Sequence, residues 1–452
     1  MMKLSYLANA LYILAVLFLA FAAGIGVSLT QVWPYPIFHD AYKAGMAEWS
    51  QSQAAVNPLA TDLWRRARTN ARGVTMHDAA KMQPGYTLFT SGDGNVARLI
   101  DADGHVIHEW KMPFSKVWTK NAAVQNPQKD DLIYMRRAKL LPNGHLLAIY
   151  ISGNDTPWGY GLVELDADSH IVWRYLAHVH HDLDIANDGR IVTLTHNFTN
   201  QPLSGYGFVP TPYLEDFLVT LSPDGKQLSK LSLTQMLARS PYGVSLRRGE
   251  PWFADFDPLH VNTVDWLGPK DIKALGFGKP GDVLVMFRQI NLLALVDPTA
   301  KRIVWGMHGN WLAPHDPHVL ANGNILMFDN LGNMKPHNPS RVIEFNPHND
   351  QITWSYQGPK NDPLNSRIRA TDQRLANGDT LITDSDSGRL LEVSKAGRIV
   401  WEYVSPIRAG ANDEFIPVLS GGYRIDPASL DPAFRKQLAA KEQQVASQKT
   451  GS

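Results

Sequence analysis

Residues 98–110 read RLIDADGHVIHEW: an apolar run, a turn of Asp and Gly, and a second apolar run that ends in Trp. The pattern returns five more times, with variations, at 162–173, 217–231, 293–305, 342–354 and 390–401. Each copy predicts a β-hairpin that is too small to bury its own apolar faces. The copies are therefore expected to pack against one another in a repeat architecture.

A second hairpin precedes most copies of this pattern. Its turns contain Asn-Gly or Asp-Gly, which favour the positive φ angles of tight hairpins, at 143–144, 188–189, 322–323 and 377–378. In the fifth unit this predicts four strands, at 315–320, 324–328, 341–345 and 352–356. Four antiparallel strands in units of about 45 residues are typical of a β-propeller. Six copies predict an all-β fold, a six-bladed β-propeller, over residues 84–425.

The first unit is one strand short, because residues 86–91, 96–100 and 106–110 supply only three strands. We expect the segment near 415–424 to supply the fourth strand and close the ring. Closure would remove the exposed sheet edges that an open propeller leaves.

The two ends of the chain differ from the repeat region. Residues 4–29 are uncharged and mostly apolar, and as a helix they would reach about 39 Å, enough to cross a bilayer. We interpret 1–32 as a transmembrane anchor. The rival is a signal peptide cleaved near Ala20-Phe21-Ala22. Residues 40–49 and 60–71 mix polar and apolar side chains and contain few β-branched residues, which predicts a helical stalk over 33–83. Residues 426–452 predict a polar tail, a helix that fades into disorder.

Composition excludes several classes of function. The 43 basic and 43 acidic residues cancel, so the chain offers no charge excess for nucleic acid. There are 0 cysteines, which excludes disulfides, thiolate metal sites and cysteine nucleophiles. The number of subunits stays open.

Candidate chemistry comes from histidines at matching positions in successive blades. His181 lies eight residues before the turn glycine Gly189, and His315 lies eight before Gly323. The first strand of each blade lines the central channel, so equal offsets predict equal depth. His260 opens the corresponding strand of the fourth blade, and Arg288 adds a permanent cation after its second strand. These four side chains are expected to meet at one end of the channel.

Simpler interpretations exist for each feature. A single histidine is more often a structural hydrogen-bonding residue than a catalyst, and we interpret the neighbouring His180, His196 and His318 in this way. The repeated Trp residues are expected to form the core between blades. The acidic turns at 329–330 and 384–386 lack the ligand spacing of a calcium loop.

Four segments, in this order, resemble the bacterial arylsulfotransferase family. They are HHDLDIANDG at 180–189, HVNTVDWL at 260–267, VMFRQINLLALVD at 285–297 and HDPHVLANGNILMFDN at 315–330. The resemblance extends over about 84–425. It departs from the family at Pro314, where the family often has Gln, and in lacking the cysteine pair of its best-known members.

The resemblance implies a six-bladed propeller that moves a sulfuryl group from an aryl sulfate to a phenol, without a nucleotide donor or another cofactor. It implies that His315 is the nucleophile and forms a transient sulfohistidine. His181, His260 and Arg288 would surround the sulfate, and Asn262 would help to position it. With the apolar N-terminus, it implies an inner-membrane anchor and a propeller in the periplasm.

Two other functions remain open from the residues alone. A propeller can serve as a non-catalytic binding platform or as a subunit of a membrane complex. His181, His260 and His315 could instead bind a divalent ion in a metal-dependent hydrolase or oxidoreductase.

Overall fold

The computed structural model describes residues 2–30, 32–35, 37–38, 41–42, 45–46, 48, 52, 56–153, 155–248, 256–333 and 340–450. Contacts divide the chain into two units, Met1–Asn57 and Pro58–Ser452. The larger unit is built from antiparallel sheets joined by turns. Its architecture is the predicted six-bladed β-propeller.

The strands follow in chain order. They are β1 (Trp64–Arg66), β2 (Gly73–His77), β3 (Tyr86–Ser91), β4 (Val96–Ile100), β5 (Val106–Lys111), β6 (Ile133–Leu140), β7 (Leu146–Ser152), β8 (Gly159–Leu165), β9 (Ile171–Tyr175), β10 (Val179–Ile185), β11 (Ile191–Thr199), β12 (Tyr213–Leu221), β13 (Gln227–Ser232), β14 (Val261–Trp266), β15 (Val283–Phe287), β16 (Leu292–Asp297), β17 (Arg302–Met307), β18 (His315–Val319), β19 (Ile325–Asp329), β20 (Arg341–Asn346), β21 (Gln351–Tyr356), β22 (Asp372–Arg374), β23 (Thr380–Asp384), β24 (Arg389–Val393), β25 (Ile399–Val404), β26 (Phe415–Pro417) and β27 (Leu419–Ile425).

The helices lie at the ends and in the longer loops. They are α1 (Met2–Thr30), α2 (Phe114–Val117), α3 (Leu233–Ala238), α4 (Pro269–Leu275) and α5 (Pro432–Thr450). Short 3-10 turns occur at Pro58–Ala60, Asp130–Leu132, Pro241–Arg248, Arg288–Ile290, Ser385–Ser387 and Pro427–Ser429.

The blades follow the repeat that the sequence predicts. Blades two to five are the consecutive sheets β6–β9, β10–β13, β14–β17 and β18–β21. Blade six contains β22–β25 and a fifth strand, β2. Blade one has the order β27-β3-β4-β5. β27 pairs with β3 from Leu419 opposite Ser91 to Ile425 opposite Tyr86. The predicted closure of the first blade by a C-terminal strand is confirmed.

The helical stalk predicted from 60–71 is wrong. Residues 64–66 form β1, which pairs with β26, and β2 adds a fifth strand to blade six by pairing with β25. β1 and β26 form a two-stranded sheet of their own, whereas β2 occupies the free edge of blade six. Both segments fold as strands because this tertiary pairing satisfies their backbone groups and overrides weak local preference. In the other segment of the predicted stalk, 40–49, the structure describes residues 41–42, 45–46 and 48, and these are helical as predicted.

The core lies between neighbouring blades. Trp110 and Trp401 are fully buried in two of its apolar clusters, and Trp173, Trp305 and Trp354 pack at the margins of others. The repeated tryptophans therefore serve as inter-blade packing residues, as expected. Burying a large aromatic side chain contributes about 1.5–3 kcal/mol.

The C-terminal segment is more ordered than the tail that the sequence predicts. Leu430, Phe434 and Leu438 are buried in the cluster that joins blades one and two. The Phe434 ring contacts His108 edge to face, with ring centroids 5.4 Å apart. Helix α5 thus covers the outer side of that joint.

The N-terminal unit contains one helix that is long and apolar enough to cross a membrane. Its candidate span, Ala8–Thr30, has a mean hydropathy of 2.5 and is 0% buried. A membrane anchor and a signal sequence both fit such a helix.

Ring closure predicts a strong effect of C-terminal truncation. Deleting residues 411–452 removes β26, β27 and α5, so blade one loses its inner strand. We expect the purified fragment to lose the cooperative thermal unfolding of the intact protein, as measured by circular dichroism. Deleting only 443–452, beyond the buried part of α5, is the control and should leave the melting temperature nearly unchanged. A 411–452 deletion that melts like the intact protein would contradict the role of β27.

Candidate active site

A cavity of about 330 Å³ lies at one end of the central channel. Its lining includes His181, His260, Arg288 and His315, which come from three successive blades. The structure therefore brings together the four side chains that were expected to meet here, two of which, His181 and His315, were predicted from equal strand offsets. Asn262 is the one predicted site residue that does not line this cavity.

The three imidazoles are close enough to contact one small ligand. The ring centroids of His181 and His260 are 4.9 Å apart, and those of His181 and His315 are 6.5 Å apart. His181 and His315 are nearly fully buried, and His260 keeps about a quarter of its side chain exposed. A small anion between them would touch several imidazoles at once.

Irregular backbone aims these side chains into the cavity. The pairing of β10, β14 and β18 with their neighbours is interrupted by a bulge at the cavity end of each strand. His181 and His260 have φ angles of 57° and 48°, in the left-handed region that non-glycine residues rarely adopt. Bulges redirect side chains, and strained backbone concentrates at functional sites.

The tautomer of His315 is set by Asn330. The side-chain NH₂ of Asn330 donates to the carbonyls of Ser366 (2.7 Å) and Arg369 (3.0 Å), which fixes the orientation of the amide. Its oxygen, which can only accept, lies 2.7 Å from Nδ1 of His315. Nδ1 therefore carries the proton, and Nε2 keeps its lone pair for the cavity. Asn330 follows β19 and was not among the site residues predicted from the sequence.

Burial keeps His315 and His181 neutral. Burial, reinforced by the nearby cations Arg288 and Arg136, places the pKa of His315 well below its ordinary value. Burial and the neighbouring His260 lower the pKa of His181 in the same way. Near neutral pH both rings are therefore uncharged, the form in which imidazole is a nucleophile or a base.

His260 is held by a carboxylate that was not predicted from the sequence. Nδ1 of His260 lies 2.5 Å from the Asp257 side chain, whose other oxygen accepts the backbone N–H of His260 at 3.0 Å. Asp257 is buried. It orients the ring so that Nε2 faces the cavity, an arrangement that suits proton transfer.

Two further arginines line the cavity and were missed from the sequence. Arg136 lies on the first strand of blade two, eight residues before Gly144, which is the offset that located His181 and His315. Arg369 lies nine residues before Gly378, just ahead of the first strand of blade six. Applying the offset to every blade, and not only to histidines, would have found Arg136.

Adjacent residues on β6 show how the two ends of the channel differ in charge. Arg137 faces the other end, where it pairs with Asp182 and Asp316. Burial lowers the pKa of Arg137, but the two carboxylates raise it by more, so the pKa lies above its ordinary value. Arg136 faces the cavity and donates to the carbonyl and the hydroxyl of Ser420, both neutral acceptors. Burial lowers the pKa of Arg136 to about 10, so it stays cationic at neutral pH.

The cavity as a whole favours an anion. Arg288 is also buried, and burial lowers its pKa to about 10, which leaves it charged. Arg369 is bound to the Asp62 carboxylate at 2.5 Å and to the Tyr134 hydroxyl at 3.0 Å. Among the lining residues that the structure describes, three guanidinium groups thus outnumber two carboxylates, those of Asp62 and Asp155. A low-dielectric site strengthens their attraction for negative charge.

Asn262 has a structural contact in place of the predicted contact with sulfate. Its side-chain NH₂ donates to the carbonyl of Pro314 at 2.8 Å, and its oxygen accepts from the Thr263 hydroxyl at 3.1 Å. The bulge in β14 at this residue turns the amide toward blade five. Asn262 therefore fixes the backbone directly before His315.

Trp158 forms an aromatic wall of the cavity. Its ring centroid lies 5.2 Å from that of His260, with an angle of 32° between the planes. Tyr134, Ile151 and Ile368 add further apolar or aromatic surface. The cavity therefore combines a cationic, imidazole-lined part with a surface against which an aromatic ring can pack.

The three predicted metal ligands do not form the tightest ligand group. Among the residues that the structure describes, the one group of three with ligand atoms within 4.8 Å of one another is His180, His196 and Asp216.

The acidic turns behave as structural residues. Asp329 accepts two backbone N–H bonds and pairs with Arg341.

The neutral state of His315 predicts a specific pH dependence of stability. The unfolded chain binds a proton at this histidine below about pH 6.5, and the folded protein does not, so stability falls as the pH decreases. Between pH 7.5 and 5.5 the loss is up to about 1.4 kcal/mol for one such group. His315→Gln lacks this group and should lose correspondingly less stability over that interval, as measured by urea unfolding. Equal pH dependence in both proteins would show that His315 titrates normally when folded.

The comparisons with solved structures give distant similarities over part of the chain. No curated protein matches the chain. Among solved structures, a protein of unknown function from Bacteroides caccae is 14% identical, with a TM-score of 0.45, over 74% of this chain and 99% of that one. Virginiamycin B lyase from Staphylococcus aureus is 11% identical, with a TM-score of 0.34, over 60% of this chain and 69% of that one.

The family comparison is more specific. The arylsulfotransferase (ASST) family model matches residues 137–406, which is more than half of the chain. The match begins on β6 and extends through β25, so it includes His181, His260, Arg288 and His315. On this match, together with the six-bladed fold, the chain belongs to the arylsulfotransferase family.

Proposed function

We propose that this protein transfers a sulfuryl group from an aryl sulfate to a phenol through a sulfohistidine at His315. The observation that carries the proposal is the state of His315. Its ring is neutral, Asn330 holds the proton on Nδ1, and Nε2 is left for a cavity that Arg288 also lines. A nucleophile beside fixed cations is what displacement at a sulfate ester requires.

In the first step, the lone pair of His315 Nε2 attacks sulfur and the bond from sulfur to the aryl oxygen breaks. The phenolate leaves with the bonding electrons and takes up a proton. In the second step, the oxygen of an incoming phenol attacks the sulfur, and the N–S bond breaks. Its electrons return to Nε2, and the phenol gives up its proton.

The arginines stabilise the charge that spreads over the sulfuryl oxygens. Arg288 and Arg136 remain cationic while buried, so they face the reacting group without first losing a shell of water. As in phosphoryl transfer, catalysis then rests mainly on positioning and electrostatic stabilisation.

His260 and His181 are the candidates for proton transfer. Both line the cavity, and His260 is oriented by Asp257. General acid–base catalysis by such a group typically contributes about 10²–10⁴-fold to the rate. The wall formed by Trp158 supports an aromatic substrate, because its ring offers a face for stacking.

We further propose that α1 remains attached as a membrane anchor and that the propeller lies in the periplasm. The length and hydropathy of Ala8–Thr30 support a membrane span. Lys3 and Lys43 flank this segment on opposite sides, so lysine placement does not set the orientation. Carbonate-resistant membrane association, lost on deletion of 1–32, tests the anchor. Protease accessibility in spheroplasts tests the side.

The nucleophile assignment predicts a covalent product. Mixing the protein with nitrophenyl sulfate should add the mass of one sulfuryl group in intact-mass spectrometry, with release of nitrophenol. His315→Ala and His315→Gln should abolish both signals while the fold persists. His318→Gln is the matched control, because this half-buried histidine lines a cavity at the other end of the channel. Turnover near wild type in a His315 variant would remove His315 from the nucleophile role.

The arginine assignment predicts that charge alone does not suffice. Arg288→Lys keeps a cation but loses the planar fork that matches two sulfuryl oxygens. We expect kcat/KM for nitrophenyl sulfate to fall by about 10²-fold, comparable to removing one oxyanion donor. Arg302→Lys, on the outer strand of the same blade, is the control. Full activity of Arg288→Lys would limit Arg288 to a role as a point charge.

A further inference from the structure

A chain of polar contacts continues behind His181, away from the cavity. Nδ1 of His181 lies 2.7 Å from Nδ1 of His180, and Nε2 of His180 lies 3.3 Å from Oδ1 of Asp216. His180 is 0% exposed and Asp216 is 1% exposed. The three groups thus form a continuous path from the cavity into the buried interior between blades three and four.

The bulge in β10 makes this contact possible. Adjacent residues on a regular strand point to opposite faces, so their rings do not meet. The pairing register shifts between His180 and Leu183, and His181 has a φ of 57°. As a result the two imidazole rings lie edge to face, with centroids 5.0 Å apart at 88°.

Asp216 is held in place for this contact. Its second oxygen accepts the backbone N–H of Val261 at 3.2 Å, and its own N–H donates to the Thr234 hydroxyl at 3.2 Å. Val261 directly follows His260. The carboxylate therefore has one oxygen on the backbone of blade four and the other directed at His180.

We propose that Asp216 and His180 act on His181 as a proton relay, so that His181 is the group that exchanges the proton with the phenol. This inference rests on the proposed sulfuryl transfer. His181 is the catalytic residue, because it lines the cavity. His180 and Asp216 are positioning residues that act through it.

The relay balances the proton. Before the second step, His180 keeps a proton on Nε2, which lies 3.3 Å from Oδ1 of Asp216. His181 Nδ1–H donates to His180 Nδ1, and His181 Nε2 carries a lone pair. When the phenol proton arrives at His181 Nε2, the Nδ1 proton passes to His180, whose Nε2 proton is shared with Asp216. The same shifts in reverse return a proton to a leaving phenolate.

The relay avoids leaving a positive charge on the buried ring of His181. Arg136, His180, His260 and His315 surround this ring, so a positive charge on it would face a cation and three imidazoles. A charge that moves to His180 lies beside the Asp216 carboxylate instead. The relay lets His181 accept a proton without becoming a buried cation next to Arg136.

The same residues permit a competing interpretation. His196 stacks on His180 at 4.2 Å, and the ligand atoms of His180, His196 and Asp216 lie within 4.8 Å of one another. A bound metal ion would depend on all three residues. The relay depends on His180 and Asp216 but not on His196, whose Nε2 accepts the backbone N–H of Gly159 at 3.4 Å. His196→Gln therefore separates the two interpretations.

The test compares donors whose phenolates differ in basicity. Nitrophenolate leaves readily without a proton, and phenolate leaves poorly without one. In Asp216→Asn and His180→Gln, we expect sulfuryl labelling of the protein by phenyl sulfate to slow by about 10²-fold, while labelling by nitrophenyl sulfate changes little. Transfer from the labelled protein to phenol should slow by about the same factor. His196→Gln should keep the wild-type ratio between the two donors.

Several outcomes would overturn the relay. Equal losses with both donors would assign His180 and Asp216 a purely structural role, while labelling of the wild type would leave the proposed function standing. A stoichiometric metal that is lost in His180→Gln and in His196→Gln would replace the relay by a metal site.

Nuclear magnetic resonance of the protein labelled with ¹⁵N-histidine gives a readout that does not depend on activity. The relay predicts one proton coupled to Nδ1 of both His180 and His181, which disappears in His180→Gln. Its absence from the wild type would exclude the relay, even if no aryl sulfate proved to be a donor.

Discussion

The antiparallel pairing of β27 with β3 is the constraint on which the rest of the structure depends. It joins Leu419–Ile425 to Tyr86–Ser91, segments separated by almost the whole propeller. Because this pairing completes blade one, the inner strands of all six blades surround one channel. Residues far apart in sequence, such as Arg136 and His315, then line a single cavity. Contacts across the joint, such as that of Arg136 with Ser420 on β27, become possible only once the ring is closed.

Whether an element was predicted correctly depends on how far along the chain its partners lie. Blade five has strands within one residue of the predicted bounds, because alternating apolar residues and Asn-Gly turns specify hairpins locally. The strands β1 and β2 were mistaken for helix, because they are short and pair with residues more than 300 positions away. The docking of α5 was missed for the same reason, since Phe434 and Leu438 have their apolar partners on blades one and two.

The candidate site was likewise predicted only in part. Equal offsets from turn glycines brought His181 and His315 together correctly, because strand geometry converts sequence distance into depth along the channel. At two bulges, sequence distance no longer predicts where a side chain points. The bulge in β14 directs Asn262 to Pro314, and the bulge in β10 brings His180 against His181. A bulge changes which way a side chain points without leaving a clear mark in the apolar pattern, so these contacts could not be read from sequence.

Arg136 and Arg137 show most directly what the cavity is built to hold. Both are buried, and they differ by one position on β6, so they share the same desolvation problem. The protein compensates Arg137 with Asp182 and Asp316, yet Arg136 faces neutral oxygens of Ser420. Among the residues that the structure describes, no carboxylate pairs with Arg136. A buried cation without such a partner lowers stability, and proteins keep such a cost where function needs it. Since His315 and His181 beside it are held neutral and add no competing charge, a substrate sulfate would be the group that compensates the cavity's positive field.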